Sequence, residues 1–189
     1  MARFKINCLK KYRFGEERTT YISSVIKGFI KEGSTVLDIG CGWCEISKIL
    51  MDSDYDVTSI DVKDKSKVKS VKPIVYGGKK IPFEDGSFEV SIIIAVLHHT
   101  EDPISLIKEA MRVSKCVVIM EDVYDNTFQK YLTYFFDSLV NLEFIGHPHS
   151  NKSDKEWKKE FKELNLKLVD AKYGKIWGVF NEAFYYLEK

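Results

Sequence analysis

Val36-Leu37-Asp38-Ile39-Gly40-Cys41-Gly42-Trp43-Cys44-Glu45 concentrates more structural information than any other stretch of this chain. Thr35–Ile39 reads as a short buried strand, four of its five residues β-branched or leucine. Two glycines then interrupt it. Gly40 and Gly42 lack Cβ atoms, so the backbone can turn sharply there and let a ligand approach closely. A helix of about two turns follows, from Cys44 to Asp52. The turn thus lies at the carboxyl end of a strand, where open α/β sheets bind their ligands.

Outward from this turn, strand-like and helix-like stretches alternate, as expected of βαβ units building a parallel sheet. Upstream, Ile22, Val25, Ile26, Phe29 and Ile30 repeat at helical spacing, and the helix is placed from about Glu16 to Lys31, ended by Gly33. Downstream, Asp56–Ile60 is a second strand, closed by Asp61. A weak helical stretch rich in Lys and Ser comes next. Pro73–Tyr76 is a third strand. Glu89–Ile94, almost continuously apolar, is a fourth covered on both faces. Asp102 caps a helix that has Pro103 at its first position, and Cys116–Met120 is a fifth strand.

Thr127 to Val140 carries Phe128, Tyr131, Leu132, Phe135, Phe136 and Leu139 on one helical face. A loop with His147, Pro148 and His149 follows. Ser153 and Glu156 form a capping box for a helix bearing Trp157, Phe161 and Leu164. Leu166–Ala171 and Ala183–Leu187 are the last strands.

The bulk properties narrow the function classes. The 189 residues suit one domain, and 44% hydrophobic with 30% charged residues is ordinary for a globular protein. Lys and Arg number 29 against 28 Asp and Glu. That balance leaves no broad field for nucleic acid; the basic opening (Arg3, Lys5, Lys10, Lys11, Arg13) is the one local candidate. No apolar run reaches the ~18 residues of a membrane span. The opening shows no apolar signal core, and four cysteines do not make a disulfide framework, so a cytoplasmic setting is expected. The dinucleotide fingerprint needs a third glycine where Glu45 stands, which counts against a nicotinamide or flavin site of that kind.

Asp38-x-Gly40-x-Gly42 resembles the first motif of the class I S-adenosylmethionine-dependent methyltransferases. Ile81-Pro82-Phe83-Glu84-Asp85-Gly86-Ser87-Phe88-Glu89-Val90, running into Val96-Leu97-His98-His99-Thr100-Glu101-Asp102-Pro103, is similar to the subgroup typified by ubiquinone-biosynthesis methyltransferases. The resemblance covers roughly Val36 to Met120. It implies an α/β, Rossmann-like three-layer sandwich whose seven-stranded sheet is mostly parallel, with the last strand antiparallel. Residues 1–189 would be a single methyltransferase domain, with a helical substrate lid inserted at about 123–165.

The same resemblance implies roles for residues. The turn Gly40-Cys41-Gly42 would pack against the methionine part of S-adenosylmethionine, with Asp38 assisting. Asp61 would accept hydrogen bonds from both ribose hydroxyls, for which a carboxylate suits. Val62 would pack against adenine, and Ala95 and Val96 would lie near the methionine end. Cys44 stands where the family often has Gly. Gly77 stands where it often has an Asp that contacts adenine, so backbone would make that contact here.

The expected reaction is methyl transfer to a small-molecule acceptor, since no Asn/Asp-Pro-Pro-Tyr/Phe segment for amide-type nitrogens follows the fourth strand. The alternatives are a non-catalytic S-adenosylmethionine-binding or protein-interaction module and a tRNA or protein methyltransferase. His99, Glu121 and His147 are the candidate bases. His98 reads as structural, and Asp122 and Tyr124 share the acceptor end of the fifth strand. Cys41 and Cys44 have metal-site spacing but no second pair, so no metal is expected. The aromatic helix 127–140 is first a core face; a substrate lid or a homodimer contact is its second reading.

Overall fold

The computed structural model describes residues 16–126, 129, 131, 151–176 and 180–189. In chain order the elements are α1 (Glu16–Lys27), β1 (Thr35–Ile39), α2 (Glu45–Met51), β2 (Asp56–Asp61), β3 (Ile74–Val75), β4 (Phe88–Ile94), a 3-10 turn (Leu97–His99), α3 (Pro103–Val113), β5 (Ser114–Val123), α4 (Asp154–Glu163), β6 (Lys167–Ile176) and β7 (Phe180–Glu188). The seven strands form one sheet in the order β3-β2-β1-β4-β5-β7-β6. The β3-β2-β1-β4-β5 pairings are parallel, and β7 runs antiparallel to both β5 and β6. The mostly parallel sheet with its antiparallel last strand is therefore the architecture expected from the sequence.

Two apolar layers cover the sheet. Ile22, Ile26 and Ile30 pack with Leu50, Val36, Val90 and Val118 on one face. Ile107, Ala110, Met111, Trp157 and Phe161 pack with Leu37, Ile93, Val117 and Tyr185 on the other. The central strands are buried on both sides, which explains their nearly unbroken apolar sequences. Asp102 caps α3 by accepting from Ser105 N at 2.9 Å, and both halves of the Ser153–Glu156 capping box form on α4.

Several boundaries move. α1 ends at Lys27 rather than Lys31. The chain leaves the helix at Gly28, a residue of low helix propensity. The Lys- and Ser-rich stretch after Asp61 forms no helix. Ser66 Oγ donates to Val68 O and Val71 O at 3.0 and 2.8 Å, and such side-chain bonds compete with helical ones. β5 and β7 run past the apolar cores by which they were recognised, because their antiparallel pairing continues through Glu121–Ala183, Asp122–Glu182 and Val123–Asn181. Of the aromatic helix at 127–140 only residues 129 and 131 are among the described residues, and the His147–His149 loop lies outside them, as does about half of the expected lid at 123–165.

Candidate functional site

The glycine turn is built from both neighbouring strands. Gly40 N and Cys41 N donate to Ile60 O at 2.8 and 3.2 Å. Gly42 N donates to Asp61 Oδ2 at 2.9 Å, and Lys63 N to Asp61 Oδ1 at 3.2 Å. The acid at the end of β2 thus stands directly under the turn at the end of β1. Each of its oxygens keeps a further lone pair for another donor.

The two glycines have different reasons. Gly40 lies at φ +74°, and a Cβ there would sit 2.5 Å from Val96 Cγ2. It yields to protein, not to a ligand. This corrects the expectation that both glycines serve ligand approach. Gly42 lies at φ +52°, and a Cβ there would meet nothing within 4 Å. Open space therefore faces the second glycine. Cys44 also takes a left-handed conformation, φ 62°, which costs an L-residue of order 1–2 kcal/mol and accounts for the resemblance to a position that is often Gly.

Asp38 lies inside, 3% exposed. A chain of hydroxyls reaches it: Ser59 Oγ donates to Ser47 Oγ at 2.8 Å, and Ser47 Oγ donates to Asp38 Oδ2 at 2.5 Å. Burial pushes the Asp38 carboxyl up to about 6; the Ser47 bond opposes this and the nearby Asp61 adds to it. A buried, raised carboxyl at a strand end beside a glycine turn is a common mark of a functional site.

Beyond Asp61 the surface becomes apolar. Val62 is 53% and Val75 56% exposed, and Val75 is paired alongside Asp61. A Cβ on Gly77 would meet nothing within 4 Å, so this ledge is open. Trp43, half exposed, carries Lys67 Nζ 3.0 Å from its ring centroid. A carboxylate with free lone pairs, an open glycine and an apolar ledge fit a ribose, a methionine chain and a flat base in turn.

The cysteine pair sits inside the turn, Sγ to Sγ 3.3 Å. Burial, and next the Asp38 charge, push the Cys41 thiol up, which disfavours its thiolate form. Among the described residues no group of three His, Cys, Asp or Glu converges as a metal site.

The three candidate bases part company. His99 is exposed on the loop after β4. Glu121 is 1% exposed, and its oxygens are already engaged. Oε1 accepts from Val96 N at 3.0 Å and Leu97 N at 2.7 Å, and Oε2 lies 2.6 Å from His98 Nδ1. It therefore does not face an acceptor as a candidate base should. His147 lies outside the described residues. Tyr124 Oη donates to Glu156 Oε2 at 2.9 Å, tying the exit of β5 to α4.

Some features escaped the sequence. Glu109 Oε2 accepts from Ile81 N, while Arg112 donates to Ile81 O and Phe83 O at 2.9 Å each. The Ile81-Pro82-Phe83 segment is thereby strapped to α3. The i, i+3 spacing of Glu109 and Arg112 on α3 was the available signal. Arg18 reaches Glu182 at 2.8 Å, with Asp122 beside it at 3.7 Å, which ties α1 to β7. An apolar recess lined by Ile107, Met111, Leu164 and Leu166 belongs to the opposite edge of the sheet, where β5 begins.

Residues 37–116 match the family described as a methyltransferase domain. The chain is 27% identical over 94 residues to a ubiquinone biosynthesis O-methyltransferase of Nitrosospira multiformis, covering 44% of this chain and 39% of that one. It is 24% identical over 128 residues to the Bordetella avium protein of the same name, covering 60% and 51%. The chain thus spans between two fifths and about half the length of these curated relatives. A SAM-dependent methyltransferase from Aquifex aeolicus superposes with a TM-score of 0.64 at 17% identity, over 94% of this chain and all of that one, which shows the fold. No helix among the described residues is long and apolar enough to cross a membrane.

Proposed function

We propose that this chain, whose residues 37–116 match the methyltransferase domain family, binds S-adenosylmethionine and transfers its methyl group to a small-molecule acceptor. The observation that supports it best is the junction of Asp61 with Gly42. A carboxylate at 9% exposure holds the turn and keeps lone pairs for a diol, while the space over Gly42 is open.

When bound, S-adenosylmethionine would supply an electrophilic methyl group on a sulfonium, open to in-line attack by an acceptor's lone pair with the neutral thioether as leaving group. The protein's contribution is orientation. Asp61 receives the ribose hydroxyls. Val62 and Val75 flank the adenine, with backbone at Gly77 and Gly78 beside it. The Gly40-Cys41-Gly42 turn and Ala95 hold the methionine end, and the buried Asp38 charge faces the same turn from below. His99 takes a proton from a hydroxyl acceptor, a task imidazole suits near neutral pH. His147 is a second candidate for that task, and the helix at 127–140 for the lid or a homodimer contact. The near-zero net charge favours a small acceptor over nucleic acid, and the free thiols suit a cytoplasmic setting.

Calorimetry with S-adenosylmethionine tests binding, and labelled-methyl transfer to a metabolite extract and to tRNA tests the acceptor class. Binding with label in small molecules is expected. A folded protein that does not bind would reduce the chain to an interaction module, and label in tRNA alone would overturn the small-molecule acceptor.

A further inference from the structure

The loop that leaves β4 is held in an unfavourable shape. Ala95 lies at φ 54°, in a region sparsely populated by residues other than glycine. Such a conformation persists only where its surroundings hold it in place, and it clusters at functional sites. Here the surroundings are identifiable. Ala95 N donates to Met120 O at 2.8 Å. One residue further along β5, Glu121 gathers the next three residues: Val96 N at 3.0 Å, Leu97 N at 2.7 Å and His98 Nδ1 at 2.6 Å. Glu121 and His98 are both essentially buried, at 1% and 2% exposure. An interior carboxylate is costly unless its donors are supplied, and these three supply them.

The middle of the loop carries the consequence. Val96 lies so close to Gly40 that any Cβ at that position would overlap it, at 2.5 and 2.9 Å from its two methyl carbons. Glu121 is therefore connected through one backbone bond and one side chain to the turn that receives the methionine end of the cofactor. It has no route to an acceptor except through these neighbours.

We propose that Glu121 is a positioning residue for methyl transfer: by fixing Val96, Leu97 and His98 it presses Val96 against Gly40 and so sets the cofactor turn. This rests on the methyltransferase reading above. It assigns Glu121 a task different from that of a base, because the feature required is an acceptor oxygen and not a transferable proton.

The test compares Glu121→Ala, Glu121→Gln, Val96→Ala and Ser114→Ala. Ser114 is the control: buried and hydrogen-bonded at the opposite end of β5. Cofactor affinity is measured by calorimetry at a temperature where circular dichroism shows each variant folded. The amide resonances of Gly40 and Gly42 are followed without cofactor. We expect Glu121→Ala and Val96→Ala to weaken binding by about tenfold or more, as misplacing a binding element does. Both should shift the Gly40 resonance. Glu121→Gln keeps a carbonyl oxygen for Val96 N and Leu97 N and should recover most of the affinity. Ser114→Ala should leave affinity and both resonances in place. Wild-type affinity in Glu121→Ala, or in Val96→Ala if the first does not fold, overturns the proposal and leaves the methyltransferase reading standing. A wild-type protein that does not bind S-adenosylmethionine overturns that reading and the proposal with it.

Discussion

Gly40 is a glycine because of Val96: a side-chain carbon on the first would lie 2.5 Å from a methyl carbon of the second. Two segments more than fifty residues apart are thereby closed on one another at the carboxyl edge of the sheet. Gly40→Ala should lower stability by about 3 kcal/mol, combining overpacking with a strained positive φ. Gly42→Ala meets no atom and should lose only about 1 kcal/mol, yet weaken cofactor binding because its methyl enters the open space. Urea denaturation of both, and of Gly40→Ala combined with Val96→Ala, checks this. The double variant should regain part of the loss, since the two sites are in contact.

Asp61 links the second strand to the turn through Gly42 N and Lys63 N. Asp61→Asn leaves one acceptor oxygen where two are used. Stability should fall by about 1–2 kcal/mol, and affinity for S-adenosylmethionine should fall more steeply, since a diol needs the second oxygen as well. Calorimetry beside a thermal melt separates the two effects. Equal affinity in the variant would remove Asp61 from the ribose site.

Asp38 makes stability depend on pH in an unusual direction. Its carboxyl titrates at about 6 in the folded protein and near 3.8 as an ordinary group. Because the folded value is the higher one, protonation favours the fold. That contribution is complete below about 3.8 and is lost as the pH rises through about 6. The ionised group then opposes folding at neutral pH by up to about 3 kcal/mol. Asp38→Asn should melt higher than the parent above pH 6, with the gap closing toward pH 4. A gap independent of pH would overturn the raised titration of this carboxyl in the folded protein.

Arg112 tests whether the Ile81-Pro82-Phe83 segment is structural. Arg112→Lys keeps the charge but loses the fork that spans Ile81 O and Phe83 O. The loss should be about 1–2 kcal/mol in denaturant, with S-adenosylmethionine affinity within about threefold of wild type. A large affinity loss at unchanged stability would place the segment in the site itself.

What the amino-acid sequence determined by itself is what local chemistry expresses. A strand running into Gly-x-Gly, an acid at the end of the next strand, Asp102 before Pro103 and the Ser153–Glu156 box each signal over a few residues. The central strands β4 and β5 could be located from their apolar runs, because strands buried on both faces are apolar throughout, whereas the order of the seven strands in the sheet came only from the structure. The limits of β5 and β7 were not legible, since backbone pairing carries them through Glu121, Asp122 and Glu182, which hydropathy reads as outside a strand. Nor does a glycine disclose what lies opposite it. Gly40 and Gly42 look alike in sequence, and only packing showed that one yields to Val96 and the other faces open space. Glu121 shows the same limit. An acid at the end of a strand reads as available for chemistry, but the three donors that enclose it come from another strand's loop. Hydrogen bonds between such distant segments leave no periodicity, so tertiary structure alone decided that this carboxylate holds the site together from within.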